Sequence, residues 1–362
     1  LKNTTTASNN TAVGKSALTA NTTGSENTAV GALSSDAITT AASNTAIGYG
    51  ALTTATTGGL NTAVGRSALL DLTTGTPNVA VGAYAGQSVT TGASNTFIGY
   101  QAGDATTTAD GNTAVGRDSL VANTTGTENT VVGAYALDAN TTGIRNTAVG
   151  YKAGSAAVTV NDTTAIGWEA LDVATTGENV AVGGAALGAN TSGTLNTAVG
   201  NWSLDANTTA SNNTAVGHNA LSANTTGAEN VAVGSLALDA NTTASYGTAV
   251  GYDSLTANTT GNSNAAVGRS SLAANTTGAA NTAMGQAALQ TNTTASNNSA
   301  LGYASLFANT TGANNVAVGA NTLTANTTGS TNTAVGSEAG DSITTGGENV
   351  AIGHGALDGG TT

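Results

Sequence analysis

Asn10-Thr11-Ala12-Val13-Gly14 returns, lightly edited, 21 times along the chain. Its glycine recurs at Gly14, Gly31, Gly48, Gly65, Gly82 and on to Gly353 with a spacing of 17 residues, broken once between Gly167 and Gly183, where it is 16. A fixed period of this kind marks a quasi-one-dimensional array whose units pack on their neighbours. It overrides the two or three globular domains that 362 residues would otherwise suggest. The expected organisation is one repetitive unit over residues 1–362, with 21 repeats beginning near Asn10 and partial repeats at both ends, as in a segment of a longer protein.

Numbered from the asparagine, the consensus is N-T-A-V-G-x-x-A-L-x-A-N-T-T-G-x-x, seen directly in residues 10–26. The first position changes only to Thr163 and Gly247, and the third is alanine except for Phe97 and Val131. The fourth is always aliphatic or Met284, and the fifth is glycine without exception. Gly, Thr, Asn and Val are weak helix formers, and the apolar residues follow no 3.6-residue stripe. A short strand, a glycine break, a second short strand and a turn fit better. The fold class is therefore all-β, a parallel β-solenoid of 21 coils. On a coil spacing of roughly 4.8 Å such a stack would run to roughly 100 Å.

The repeat assigns jobs to its letters. Gly14 and its equivalents need φ > 0 or a close approach by the next coil. Asn10 either forms a stacked amide ladder or caps a turn locally. Position nine is leucine except at Ser35, Gly86, Gly103, Gly154 and Gly340. In three of those copies position twelve turns apolar, as Ile38, Val89 or Ile343. A close-packed core explains the exchange and requires position twelve to point inward. Gly103 and Gly154 lack that exchange, although Val158 follows one residue past position twelve. Strand parity puts Thr11 and Val13 on one face and Ala12 on the other. If Val13 faces the interior, the alanines form an outward stripe, which favours packing of several copies along their length.

Composition excludes several functions. Only 7% of residues are charged, against about 25% in ordinary domains. The net charge is −13 and the seven basic residues are scattered, unlike a nucleic-acid footprint. There is no cysteine and no apolar run long enough to span a membrane. His218 and His354 lie eight repeats apart, so neither a catalytic nor a transition-metal site is expected, and no cofactor. The acids collect at positions ten (Asp104, Asp138, Asp172, Asp205, Asp239, Asp341, Asp358) and seventeen (Glu26, Glu128, Glu178, Glu229, Glu348). They read as solvated turns in preference to calcium clamps, since the aspartate-bearing nonapeptide of calcium-binding β-rolls is missing.

NTAVG-x-x-AL-x-x-NTTG resembles the repeats of phage tail-fibre and bacterial fibre proteins, over essentially the whole chain. More loosely, Ala46-Ile47-Gly48 is similar to the small-apolar-Gly core in the β-roll heads of trimeric autotransporter adhesins. The resemblance implies a parallel homotrimeric fibre, left-handed, outside the cell, on the cell surface or on a virion. It would be a non-enzymatic shaft or head giving reach and multivalent contact, with itself, cell-surface glycans or a host surface as partners. A self-assembling extracellular filament or matrix protein is the alternative, and an ice-binding solenoid a third.

Position six suggests where contact is made. Tyr49, Tyr100, Tyr151, Tyr252 and Tyr303 fall on third repeats, with Lys15, Arg66, Arg117 and Arg269 one repeat on from such slots, a 51-residue superrepeat. It reads either as duplication of a three-coil block or as a periodic contact row. Trp168 and Trp202, at nearby turns, would add the most apolar patch. Twelve copies carry Asn-Thr-Thr or Asn-Thr-Ser at positions twelve to fourteen, from Asn21 to Asn326, matching the N-glycosylation pattern. The same threonines could form ladders of the kind that bind ice.

Overall fold

The computed structural model describes residues 3–359. They form 21 three-residue strands, one per repeat, all parallel, in a β-solenoid with a repeat of about 17 residues and no helix among the described residues. Two compact units divide the chain at Asn179 and Val180, close to the one 16-residue repeat. The first holds β1 (Thr11–Val13) to β10 (Thr164–Ile166), and the second β11 (Val180–Val182) to β21 (Val350–Ile352). Within each unit, successive strands pair in constant register, alanine on alanine, as in Ala12↔Ala29 and Ala198↔Ala215.

The parity is the reverse of the one expected from hydrophobicity. Ala215 is 0% exposed and Val216 is 37% exposed, and the other coils follow suit. The cause lies one residue earlier. Asn at position one is buried almost everywhere, and in each unit it forms the expected ladder. Asn27 Oδ1 accepts the N–H of Asn44 at 3.0 Å and its Nδ2 at 3.1 Å. Asn44 Nδ2 also donates to Gly58 O across to the next coil. With position one inward, a period of two places position three inward as well. Threonine and valine at two and four must then face out. The outward alanine stripe does not exist.

A second expectation also fails. Positions five to eleven make two linked turns instead of a second strand. Ala17 N–H donates to Gly14 O and Asn21 N–H to Leu18 O, both three residues back. Positions seven and nine lie in the left-handed region, for example Ser16 (φ 62°) and Leu18 (φ 50°), which no strand allows. The turns nevertheless stack like a sheet: Leu18 N–H donates to Ser34 O and Ala20 N–H to Asp36 O, one coil on. Backbone groups that a strand would have paired are thus paired by the next turn.

The interior is thin, lined by positions one, three, eight, nine and twelve. The invariant glycine at position five has both reasons predicted for it. Gly200 has φ +137°, and a Cβ there would lie 2.4 Å from Gly217 O in the next coil. At position nine the backbone stays left-handed whatever the residue, which explains why glycine is the usual replacement for leucine. Ile38, Val89 and Ile343 are buried, so position twelve does point inward. Gly103, which has no such partner, is explained by Phe97. A Cβ on Gly103 would lie 2.4 Å from Phe97 Cε1, and one on Gly86 2.8 Å from Phe97 Cδ2. The ring occupies the space of two absent leucines. Gly154 borders only Leu137, and Val158 is exposed, so that copy has no equivalent filling.

Candidate functional site: an aromatic and cationic edge

Gly at position five turns the chain out of the strand, and positions six and seven follow at the coil edge. All five predicted tyrosines stand there, exposed: Tyr49, Tyr100, Tyr151, Tyr252 and Tyr303. The structure brings two of them together with residues the sequence reading missed. Tyr100 makes an edge-to-face pair with Tyr84 (centroids 6.0 Å, 89°), and Tyr151 one with Tyr135 (6.0 Å, 87°). Tyr84 and Tyr135 sit at position seven of the preceding coil, where the left-handed backbone (φ 62° and 57°) sets the direction of the ring.

Cations complete the row. The Arg66 guanidinium lies 5.6 Å from the Tyr84 centroid. Arg117 lies 5.9 Å from Tyr100 and 5.6 Å from Tyr135, bridging the two pairs. Lys152 Nζ stands 5.7 Å from Tyr151. The sequence Arg66, Tyr84, Tyr100, Arg117, Tyr135, Tyr151 with Lys152 thus supplies one rung per coil over six consecutive coils of the first unit. Each edge-to-face pair contributes about 0.5–1.5 kcal/mol beyond area burial, and the cations are drawn to the ring faces by the ring quadrupole. These contacts link each rung to the next along the row. The signal was present: Arg66–Tyr84–Tyr100 recurs 51 residues later as Arg117–Tyr135–Tyr151, and reading position seven beside position six would have found it.

The remaining predicted residues do not join this row. Among the described residues Tyr49, Tyr252 and Tyr303 make no ring or cation contact. Trp168 stands exposed at position six in the first unit. Trp202 belongs to the second unit at position seven, edge-on to His218 (5.4 Å, 88°). Trp168 and Trp202 are therefore features of separate units.

Electrostatics around the row are mixed. Arg117 Nε donates to Asp118 Oδ2 at 3.0 Å, and that hydrogen bond holds the guanidinium above its usual pKa. Arg145 makes a two-pronged pair with Asp162 one coil on (2.7 and 2.8 Å), which lowers the Asp162 pKa. Four position-ten acids are less solvated than expected. Partial burial raises Asp36, Asp104, Asp138 and Asp205 above the usual carboxylate range, with Asp118 and Asp71 adding repulsion at Asp104. Among the described residues no three His, Cys, Asp or Glu side chains gather as a metal site, and no helix is long and apolar enough to cross a membrane.

The glycosylation pattern changes meaning. The twelve sequon asparagines, Asn21 to Asn326, are at most 1% exposed. They form a second ladder: Asn241 Nδ2 donates to Asn224 Oδ1 (2.8 Å), while Asn224 Nδ2 closes on Gly227 O (2.9 Å). In the folded coil these amides serve the core and are shielded from modification. No family model matches the chain, and no curated protein matches it.

Proposed function

We propose that this chain is a structural fibre segment, non-enzymatic, whose coils supply reach and whose surface rows supply contact with other copies and with an external surface. The observation that carries this reading is the outward face of the strands. Positions two and four hold only Thr, Val, Ile, Ala, Ser, Leu and Met in every coil. Val81, Ile98, Val216, Met284 and Leu301 are among those left exposed. A contiguous exposed apolar face of this kind, present within each unit, marks an interaction surface. Threonine alternating with a β-branched residue suits dry sheet-to-sheet packing. The support for lateral association of copies, as a homotrimer or a larger bundle, thus passes from the alanines to the valines. The Arg66–Lys152 row suits weak repeated contact with uncharged glycans, whose hydroxyls match guanidinium and phenol groups and whose apolar faces match tyrosine rings. An extracellular, cell-surface or virion location accords with both.

The test is solution mass by light scattering, with Val216→Lys/Val233→Lys/Val250→Lys as the comparison. The expected parent is a defined oligomer, and the expected variant a folded monomer. A parent that is already a monodisperse monomer contradicts the reading. Open-ended fibres of indefinite length would favour the self-assembling filament instead of a closed trimer.

A further inference from the structure

Two tyrosine pairs bridge successive coils of the first unit. Tyr84 and Tyr100 lie 16 residues apart in the chain, and so do Tyr135 and Tyr151. Each pair joins position seven of one coil to position six of the next. The ring centroids are 6.0 Å apart in both, at 89° and 87°. Tyr100 and Tyr151 are each 45% exposed, and Tyr84 and Tyr135 are partly exposed. The other four tyrosines stand singly: among the described residues no ring lies against Tyr49, Tyr246, Tyr252 or Tyr303. Arg117 sits between the two pairs, 5.9 Å from Tyr100 and 5.6 Å from Tyr135. Each paired phenol therefore has one phenol neighbour within reach, and it is the ring one coil away.

The geometry points to these pairs as sites of oxidative tyrosine coupling, in which a haem peroxidase with hydrogen peroxide joins Tyr84 to Tyr100 and Tyr135 to Tyr151. The peroxide takes one electron and one proton from each phenol of a pair, and leaves as two molecules of water. The two phenoxyl radicals carry spin on the carbons ortho to oxygen. One carbon–carbon bond forms between an ortho carbon of each ring. Each coupling carbon then gives up its hydrogen as a proton, each oxygen regains one, and both rings are aromatic again. The net change is the loss of two hydrogens per pair. An edge-to-face pair already turns a ring edge toward its partner. Exposed side chains change rotamer in picoseconds to nanoseconds, so ring motion brings the ortho carbons together while the coils stay in place.

The position of the link gives it a structural consequence. Each coil packs only on its neighbours, and the chain has no cysteine with which to tie one coil to the next. A carbon–carbon bond between positions seven and six closes a short loop that contains one whole coil step. Closing such a loop restricts the unfolded chain and leaves the folded coils unchanged. Two links in succession would staple the stretch from Tyr84 to Tyr151. This chemistry is internal to one chain and independent of the contact between copies proposed above.

The experiment treats the intact chain with a plant haem peroxidase and hydrogen peroxide, then unfolds and digests it with trypsin. Cleavage after Arg66, Arg117, Arg145 and Lys152 leaves Tyr84 and Tyr100 together in peptide 67–117. It separates Tyr135, in peptide 118–145, from Tyr151, in peptide 146–152. The expected masses are peptide 67–117 lighter by two hydrogens, and peptides 118–145 and 146–152 joined as one species lighter by two hydrogens. Dityrosine fluorescence should appear on a band that still runs as a single chain in denaturing gels, and the melting midpoint should rise. The comparison is Tyr84→Phe/Tyr135→Phe, which keeps the rings and removes one phenol from each pair. It should keep the parent circular dichroism spectrum and lose the fluorescence, both links and the rise in midpoint, although six tyrosines remain. A parent digest with neither link overturns the proposal. So does fluorescence undiminished in the variant, dityrosine found only between separate chains, or a linked parent whose midpoint does not rise. Light scattering decides the fibre reading separately, since a monomer and an oligomer predict the same two links.

Discussion

Asparagine at position one decides more than any apolar letter of the repeat. Its burial sets the parity, and parity decides that Ala215 is core and Val216 is surface. Ranking residues by hydrophobicity leads to the opposite answer, because a buried amide ladder is invisible to such a ranking. It is paid for by hydrogen bonds such as Asn44 Nδ2 to Asn27 Oδ1 at 3.1 Å. What was legible was the exchange between positions nine and twelve, because volume conservation shows directly in the letters at Gly86 with Val89. The exchange between Gly103 and Phe97 was not read, since it links positions three and nine across the coil. It yields a sharp expectation. Phe97→Ala should cost about 3–5 kcal/mol by opening a cavity, and Gly103→Leu alone should also destabilise because Phe97 fills that space. Together the two changes restore the consensus coil and should recover most of the loss. Urea unfolding of the four proteins gives the coupling; simple additivity would show that the ring and the missing leucine are unrelated.

Each coil is one element: a three-residue strand, two linked turns and a bend, all bonded to the coils on either side. The period alone made the parallel stack legible. The second strand was misread because left-handed leucines leave no compositional mark; Leu18 and its equivalents look like ordinary strand residues. Stacking also half-buries Asp104, Asp138 and Asp205 at position ten. Their folded pKa values are raised, chiefly by desolvation, from the unfolded value of 3.8. The folded state therefore takes up protons before the unfolded chain does. The contribution to stability is fully present below 3.8 and is lost as pH rises through the folded values. Cooling this to an observable, the melting midpoint should rise as pH falls from neutral toward about 4, the reverse of ordinary acid denaturation. Asp104→Asn/Asp138→Asn/Asp205→Asn should raise the midpoint at neutral pH and flatten the slope. An unchanged slope in that variant would place the pH dependence elsewhere.

For the whole molecule, function follows from which side chains the coils leave outside. Three rows emerge: Thr/Val on the strands, aromatics and cations at the following edge, and threonine pairs at the bend. The second was partly foreseen, as Tyr100 and Tyr151 without Tyr84 and Tyr135, and the third as threonine ladders following the Asn-Thr-Thr asparagines. All three depend on the inside-out assignment of Asn-Thr-Ala-Val-Gly, so that assignment is the claim to test first. Lysine placed at Ala215 must bury a charge among packed backbones, which no neighbour can pair. Lysine at Val216 stands on the outer face and should cost within about 1 kcal/mol of the fold's stability. The direct measurement is urea unfolding, followed by circular dichroism, of Ala215→Lys beside Val216→Lys. The expected result is a cooperative, near-parental transition for Val216→Lys and loss of folded signal or a midpoint far lower for Ala215→Lys. The reverse order, with Ala215→Lys tolerated and Val216→Lys unfolded, would contradict the account.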